Sequence, residues 1–138
     1  MPELTVRDCM HAGVIACAPD TPLEEVAETM QARGISALVV VAGGLAVGVI
    51  SKTDLVNVAF VQPYMRHWRG MTARHLMTSP VVSVDPRTPF AEAVRLLDER
   101  RIHRLVVTDE GQRPIGILSL TDVARVLSAR TAGSEATR

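Results

Sequence analysis

The sequence predicts an α+β fold made of two copies of one strand–helix–strand–strand–helix unit. Three observations predict it. The chain repeats itself at an offset of 67 residues, so that Met10 falls on Met77. Within each copy, β-rich runs alternate with apolar stripes at helical spacing. The apolar content is aliphatic, with 47% hydrophobic residues but only 3% aromatic ones. A chain of 138 residues with 22% charged residues has the composition of one globular domain. At that length about two-thirds of the unfolded surface is buried on folding, so Val, Leu, Ile, Met and Ala can build a core without disulfides or metals.

The repeat is a ladder of identities in order. Val14 falls on Val81, Pro19 on Pro86, and Thr21-Pro22 on Thr88-Pro89. Glu25 then meets Glu92, Arg33 meets Arg100, Ile35 meets Ile102, and Leu38-Val39-Val40 meets Leu105-Val106-Val107. One extra residue near Arg113 moves the offset to 68. After it, Gly48, Ser51, Thr53 and Asp54 meet Gly116, Ser119, Thr121 and Asp122. Shared composition does not produce gapless identity in ordered steps; a tandem duplication does.

The elements of each copy follow. Val14–Cys17 and Val81–Val84 are short strand-like runs ending before Pro or near it. Thr21-Pro22-Leu23-Glu24 reads as a helix start, with Thr as N-cap, Pro at the first helical position and an acid to complete a capping box. Leu23, Val26, Ala27 and Met30 then share one helical face, and Gly34 suits the helix end. The second copy repeats the start with Thr88-Pro89 and the stripe Phe90, Ala93, Val94, Leu97, but has Ala91 at the box position. Ala37–Ala42 and Ala46–Ser51, joined by Gly43-Gly44, read as a hairpin, as do Arg104–Thr108 and Ile115–Ser119, joined through Asp109-Glu110-Gly111. A second helix begins near Thr53 and again near Thr121.

The segment from about Asn57 to Met71 belongs to neither copy. The organisation expected is a first repeat over 1–60, a connector over 61–71, a second repeat over 72–130 and a flexible tail over 131–138, small and polar in composition. A copy of about 60 residues is marginal alone. The two are expected to pack sheet to sheet as one module with approximate twofold symmetry, in which the cleft between like elements occurs twice.

Composition also excludes function classes. Lys+Arg and Asp+Glu are both 15, so the net charge is zero, which argues against a generally basic nucleic-acid binder. The longest apolar run, Ala37–Ala42, is far short of the ~20 residues of a membrane span. Glu3, Arg7 and Asp8 stand where a signal peptide needs an apolar stretch. Cys9 and Cys17 make no disulfide framework. A cytoplasmic protein with reduced thiols is the expectation.

The chemistry concentrates where the last strand of each copy runs into its helix: Gly48-Val49-Ile50-Ser51-Lys52-Thr53-Asp54 and Gly116-Ile117-Leu118-Ser119-Leu120-Thr121-Asp122. Unpaired N–H groups at a helix start favour an anion. The hydroxyl of Ser51 or Ser119 can donate to phosphate, and the carboxylate of Asp54 or Asp122 can accept from two sugar hydroxyls. Gly48 and Gly116 leave room for close backbone approach. Ser-x-x-Asp is also an ordinary capping box that satisfies its own helix end. Seen once, the box is the plainer account; seen twice, with Gly three residues ahead of each Ser, the pattern weighs toward a ligand site.

The pattern Gly-hydrophobic-x-Ser/Thr-x-x-Asp, closing such a repeat, resembles the CBS domain, named after cystathionine β-synthase. Ile102-His103-Arg104-Leu105-Val106-Val107, then Asp109 and Gly116–Asp122, is similar to repeats of the γ subunit of AMP-activated protein kinase. Val6-Arg7-Asp8-Cys9-Met10 and Ala73-Arg74-His75-Leu76-Met77 resemble the helix that opens such repeats. The resemblance covers about residues 4–130. It implies a tandem pair of CBS repeats, a pseudo-twofold Bateman module, acting as a regulatory sensor that binds adenine nucleotides (AMP, ADP or ATP) between its repeats. S-adenosylmethionine and NAD are further candidates. By the resemblance, Asp54 and Asp122 hold ribose, Ser51 and Ser119 assist at phosphate with Thr53 and Thr121 in the same turns, and Ile15 and Val82 flank adenine. It also gives His103 and Arg104 to the phosphates, which suits the two-pronged Arg fork. The first copy has Ser36-Ala37 there, so unequal sites are expected.

Other features carry blander readings. Phe60, Tyr64 and Trp68 are spaced four apart in the connector; core cover is the plainer account, a protein-contact surface the sharper one. Arg66, His67, Arg69, Arg74 and His75 form a basic run without an acid, read as a solvated face. Cys9, His11 and Cys17 lack zinc-site spacing and read as inert thiols beside a histidine. No P-loop, dinucleotide fingerprint or nucleophile elbow occurs, and nothing sets Ser, His and Asp as a triad, so no enzyme is expected. The expected partners are an adenine nucleotide, a second copy of the chain as a homodimer, and an unidentified protein, with no membrane, nucleic acid, metal or obligatory cofactor. The rival readings are a ligand-independent dimerisation scaffold and a metal- or redox-responsive protein using Cys9 and Cys17.

Overall fold

The structure, a computed structural model, describes residues 3–58 and 68–136, the side chains of 68 and 131–136 excepted. Its elements in chain order are α1 (Val6–Cys9), β1 (His11–Ala12), β2 (Ala16–Cys17), α2 (Leu23–Arg33), β3 (Ala37–Ala42), β4 (Leu45–Ser51), α3 (Lys52–Val56), a 3-10 turn (Trp68–Gly70), α4 (Ala73–Leu76), β5 (Ser83–Val84), α5 (Phe90–Arg100), β6 (Arg104–Thr108), β7 (Pro114–Ser119) and α6 (Leu120–Ala136). They form two compact units. One is contiguous, Val14–Val81; the other is split, joining Met1–Gly13 to Val82–Arg138. Each sequence copy opens with a helix that is counted in the unit holding the other copy's strands.

In the contiguous unit, β2 runs parallel to β3, and β3 pairs antiparallel with β4. Gly43 and Gly44, at φ +59° and +81°, supply the left-handed pair that a two-residue hairpin turn requires. Leu23, Val26 and Met30 from one face of α2 pack with Leu38, Val40 and Ile50 of the hairpin, Val58 and Ala73 of α4. Gly34, at φ +61°, ends α2 as expected.

The start of α2 differs from the expectation. Pro22, not Thr21, is the N-cap, and the Thr21 hydroxyl accepts from the Ala18 amide at 3.0 Å. The chain leading into α4 accounts for this: the first helical amide, Leu23 N–H, donates to the Met71 carbonyl at 3.0 Å, so no side-chain cap is needed there. The split unit repeats the arrangement, with Phe90 N–H donating to the Leu4 carbonyl at 2.8 Å above the N-cap Pro89.

The split unit's sheet runs β1-β7-β6-β5. Phe90, Ala93 and Leu97 of α5 pack with Leu105, Val107 and Leu118, closed by Val6 and Cys9 of α1 and Val123 of α6. Strand β1 has no sequence signature, since two residues show no period; His11 and Ala12 pair with Ile117 and Gly116. The matching place in the contiguous unit is a bridge between Val49 and Thr78. Both hairpins carry a register shift at the same point of the repeat, between Val40 and Val41 and between Val107 and Thr108. Helix α5 ends on Arg101 in the left-handed region, φ +52°, where the first copy has Gly34.

Helix α6 runs to Ala136, into the segment read as the tail; extending a formed helix costs little, and Ala132, Glu135 and Ala136 are good helix formers. Phe60 and Tyr64, the Trp68 side chain, and Arg66 and His67 lie outside the described residues. The rest of the basic run is not a bare charge patch: Arg74 pairs with Asp20 at 2.7 Å, and His75 Nδ1 accepts from the Thr72 amide at 3.0 Å.

Candidate functional site

The candidate residues stand where β4 ends at Ser51 and where β7 ends at Ser119. Glycine in the motif serves packing. A Cβ on Gly48 would lie 2.8 Å from Met77 Cβ and Cγ, and one on Gly116 would lie 2.8 Å from the His11 carbonyl and 2.9 Å from Met10 Sδ. The close approach expected of a ligand is made by the chain that leaves α4 or α1. This corrects the sequence reading of both glycines.

Both Ser-x-x-Asp turns form capping boxes. Asp54 Oδ2 accepts from the Ser51 amide at 2.8 Å, and Ser51 Oγ accepts from the Asp54 amide at 3.1 Å. Asp122 Oδ2 accepts from the Ser119 amide at 2.8 Å, and Ser119 Oγ accepts from the Asp122 amide at 3.3 Å. The same device opens α1, through Thr5 and Asp8, and α4, through Thr72 and His75, so the box by itself is a way of starting a helix.

The two Ser–Asp boxes differ in what they leave over. The Ser119 hydroxyl also donates to Asp122 Oδ2 at 3.0 Å, and Arg125 Nη2 lies 3.0 Å from Asp122 Oδ1 while donating to the Cys9 carbonyl, also at 3.0 Å. Asp122, 5% exposed, is the one buried charged residue among those described. Asp54 is half-buried, and its Oδ1 has no partner among the described residues. The Ser51 hydroxyl accepts one bond and keeps its own proton. The contiguous unit thus retains a free donor and a free acceptor, and the split unit has committed both.

Strand register explains which other candidates come near. In the contiguous unit Ala37 pairs with Ser51, and the Ile15 carbonyl accepts from Val39 N–H at 3.1 Å, so Ile15 enters β2 at the sheet end where Ser51 leaves β4. In the split unit Arg104 pairs with Ser119, and the Val82 carbonyl accepts from Val106 N–H at 3.0 Å. The His103 carbonyl accepts from Leu120 N–H at 3.0 Å, and its counterpart Ser36 accepts from Lys52 N–H at 2.8 Å. Each unit therefore brings its candidates to one end of its own sheet: Ile15, Ser51, Thr53 and Asp54 in one, and Val82, His103, Arg104, Ser119, Thr121 and Asp122 in the other. Thr53, Thr121 and His103 are exposed; Ile15, Val82 and Arg104 are half-buried. A groove of about 870 Å³ opens beside this end of the split unit, lined by His103 and Leu120 with Val94, Asp98 and Ile102. Of the candidates only His103 lines it.

The thiols behave as packed side chains. Burial pushes the Cys9 thiol up from its ordinary range, with the charge of Asp8 adding to it, and burial does the same to Cys17. Both stay protonated at neutral pH, the less reactive form. Cys9 lies in the split unit's core and Cys17 in the contiguous unit; among the described residues no three His, Cys, Asp or Glu side chains gather as a metal site. No helix of the described residues is long and apolar enough to cross a membrane.

Sequence reasoning missed Arg125, which holds Asp122, and Met10 and Met77, which fill the space over the glycines. Arg125 sits three residues after Asp122, a helical spacing that pairs opposite charges, so a signal for it existed. Nothing local links Met77 to Gly48.

A family model described as the CBS domain matches residues 6–60 and 73–129. An uncharacterized protein of Methanopyrus kandleri is 29% identical over 127 residues, covering 91% of this chain and 64% of that protein. The 5'-AMP-activated protein kinase subunit gamma-3 of Sus scrofa is 33% identical over 109 residues, covering 75% of this chain. The chain spans only 21% of that subunit's length. Among solved structures, CBSX2, a CBS-pair protein of Arabidopsis thaliana, crystallised in complex with AMP, superposes with a TM-score of 0.78 at 29% identity, over 92% of this chain and 98% of that one. With two matched segments, one in each copy of the repeat and together spanning most of its length, the chain belongs to the CBS domain family and carries two CBS domains.

Proposed function

We propose that the chain is a regulatory module that binds adenine nucleotides, of the AMP, ADP or ATP class, at the sheet ends where its two Ser-x-x-Asp turns lie. The observation that carries the reading is the convergence, in each unit, of a strand-start apolar residue, a serine and a carboxylate at one sheet end. Asp54 is suited to ribose hydroxyls through its uncommitted Oδ1, and Ser51 to a phosphate oxygen through its hydroxyl proton. In the split unit, Arg104 brings a cationic fork and His103 a ring nitrogen to the phosphate, while Asp122 has to share its carboxylate with Arg125. Ile15 and Val82 offer apolar contact to adenine. The complex of the 29%-identical CBSX2 with AMP supports the same ligand class. No catalytic step is assigned.

Thermal unfolding with AMP, ADP, ATP, NAD and S-adenosylmethionine tests the reading. A ligand that binds only the folded chain adds about 2.7 kcal/mol at one hundred times its dissociation constant. For a domain of this size that is a rise in melting temperature of roughly 5–10 °C. At least one adenine nucleotide is expected to give it; flat scans for all five at millimolar concentration overturn the proposal.

A further inference from the structure

Arg125 joins two parts of the split unit that are far apart in sequence. Its Nη2 lies 3.0 Å from Asp122 Oδ1 and donates to the Cys9 carbonyl, also at 3.0 Å, across 116 residues. Cys9 ends α1, in the segment Met1–Gly13, and the chain passes from Gly13 straight into the contiguous unit. That segment is therefore held in the split unit by noncovalent contacts alone. Val6 N–H donates to the Thr88 carbonyl at 2.8 Å, Arg7 N–H to the Pro86 carbonyl at 2.9 Å, and Gly13 N–H to the Ile115 carbonyl at 2.8 Å. Arg125 adds a contact that runs to a candidate site residue.

The same contact closes the Asp122 carboxylate. Its Oδ2 accepts from the Ser119 amide and hydroxyl, and Arg125 is the partner of Oδ1 among the described residues. The Asp122 side chain is 7% exposed and that of Arg125 59% exposed, so a ligand hydroxyl reaches Oδ1 only when the guanidinium swings out toward water. The first copy supplies an internal comparison. At the offset of 68, Asn57 stands in the place of Arg125; it is exposed and has no side-chain hydrogen bond among the described residues, and Asp54 Oδ1 is open.

We infer that Arg125 is a positioning residue that couples the two ends of this bridge: a ligand hydroxyl accepted by Asp122 Oδ1 displaces Arg125 and thereby loosens α1. The inference rests on the adenine-nucleotide reading above. An Asp–Arg pair three residues apart on a helix surface is ordinary and contributes little. Here the carboxylate is buried and the cation also holds a distant carbonyl, so neither end changes without the other. The coupling is reciprocal: freeing Asp122 from Arg125 favours the ligand by the factor with which the ligand loosens α1.

Amide hydrogen exchange of the full chain, read on a fragment covering residues 4–13, tests the coupling. Adenosine is the probe, because it carries no phosphate for the guanidinium to attract. It is expected to quicken exchange in that fragment about 10-fold, the worth of one hydrogen bond to a charged group. Without ligand, Arg125→Met is expected to quicken the same fragment to a similar degree, and Arg125→Lys, which keeps a cation with several donors, to lie nearer the wild type. In calorimetry, Asp54→Asn is placed in both proteins so that the split unit is the site read. Adding Arg125→Met is then expected to tighten adenosine binding roughly 5- to 10-fold, whereas a residue that serves stability alone gives equal or weaker binding. Adenosine binding that leaves exchange in 4–13 unchanged, or no tightening in the Arg125→Met protein, overturns the inference while leaving nucleotide binding intact. The exchange measurement on the wild-type chain decides the matter should Arg125→Met fail to fold. If neither AMP nor adenosine binds the wild-type chain, the functional reading fails first and this inference fails with it.

Discussion

The Asp122 carboxylate accepts from the Ser119 amide at 2.8 Å and hydroxyl at 3.0 Å and meets Arg125 at 3.0 Å, whereas Asp54 accepts only the Ser51 amide among the described groups. Burial makes the difference count, because a donor that loses its partner in the interior costs about 1–3 kcal/mol and one near water costs less. Asp122→Ala is therefore expected to destabilise by about 2–3 kcal/mol, and Asp54→Ala by about 1 kcal/mol, the usual worth of a helix cap. Urea denaturation of the two variants checks this, and equal losses contradict it. Both boxes were legible as Ser-x-x-Asp in the sequence. The inequality between them was not, because it depends on how deeply each turn is buried and on Arg125 also reaching the Cys9 carbonyl. The glycines were misread for a similar reason: Gly48 and Gly116 are small to admit Met77 and the His11–Met10 segment, which are remote in sequence.

Elements with a clear period were read closely. Strands β3 and β6 have the expected bounds, and β4 and β7 begin one residue earlier than expected. Helix starts were read less well, since Thr21-Pro22 has the local form of a cap, yet the amide it would satisfy is taken by the Met71 carbonyl. A two-residue strand such as β1 gives no pattern to read. Its pairing is nonetheless tight: the His11 carbonyl oxygen lies 2.8 Å from where a Cβ of residue 116 would sit. Gly116→Ala must part β1 from β7, because the obstacle is backbone and not the end of a flexible chain. A loss of about 1–3 kcal/mol is expected, the range of overpacked sites. A drop in melting temperature of several degrees would register it, and a melt identical to wild type would contradict the pairing.

For the whole chain, the tandem duplication was legible because ordered identities at one offset have no other source. The division into units was not. An alignment of copy on copy reads the same whichever core the opening helix joins, so only coordinates show that Met1–Gly13 completes the unit of Val82–Arg138. The ligand reading draws on both copies, and it leans on the two carboxylates most. Asparagine at 54 and 122 keeps a carbonyl oxygen to accept from the Ser51 and Ser119 amides and removes the charge. The most direct measurement is a calorimetric titration of AMP into the wild-type chain and into the Asp54→Asn/Asp122→Asn protein, with circular dichroism to confirm that both are folded. The account predicts saturable binding to the wild type, weakened roughly 10- to 100-fold in the double variant. No binding heat at millimolar AMP, or equal affinity in both proteins, would contradict it.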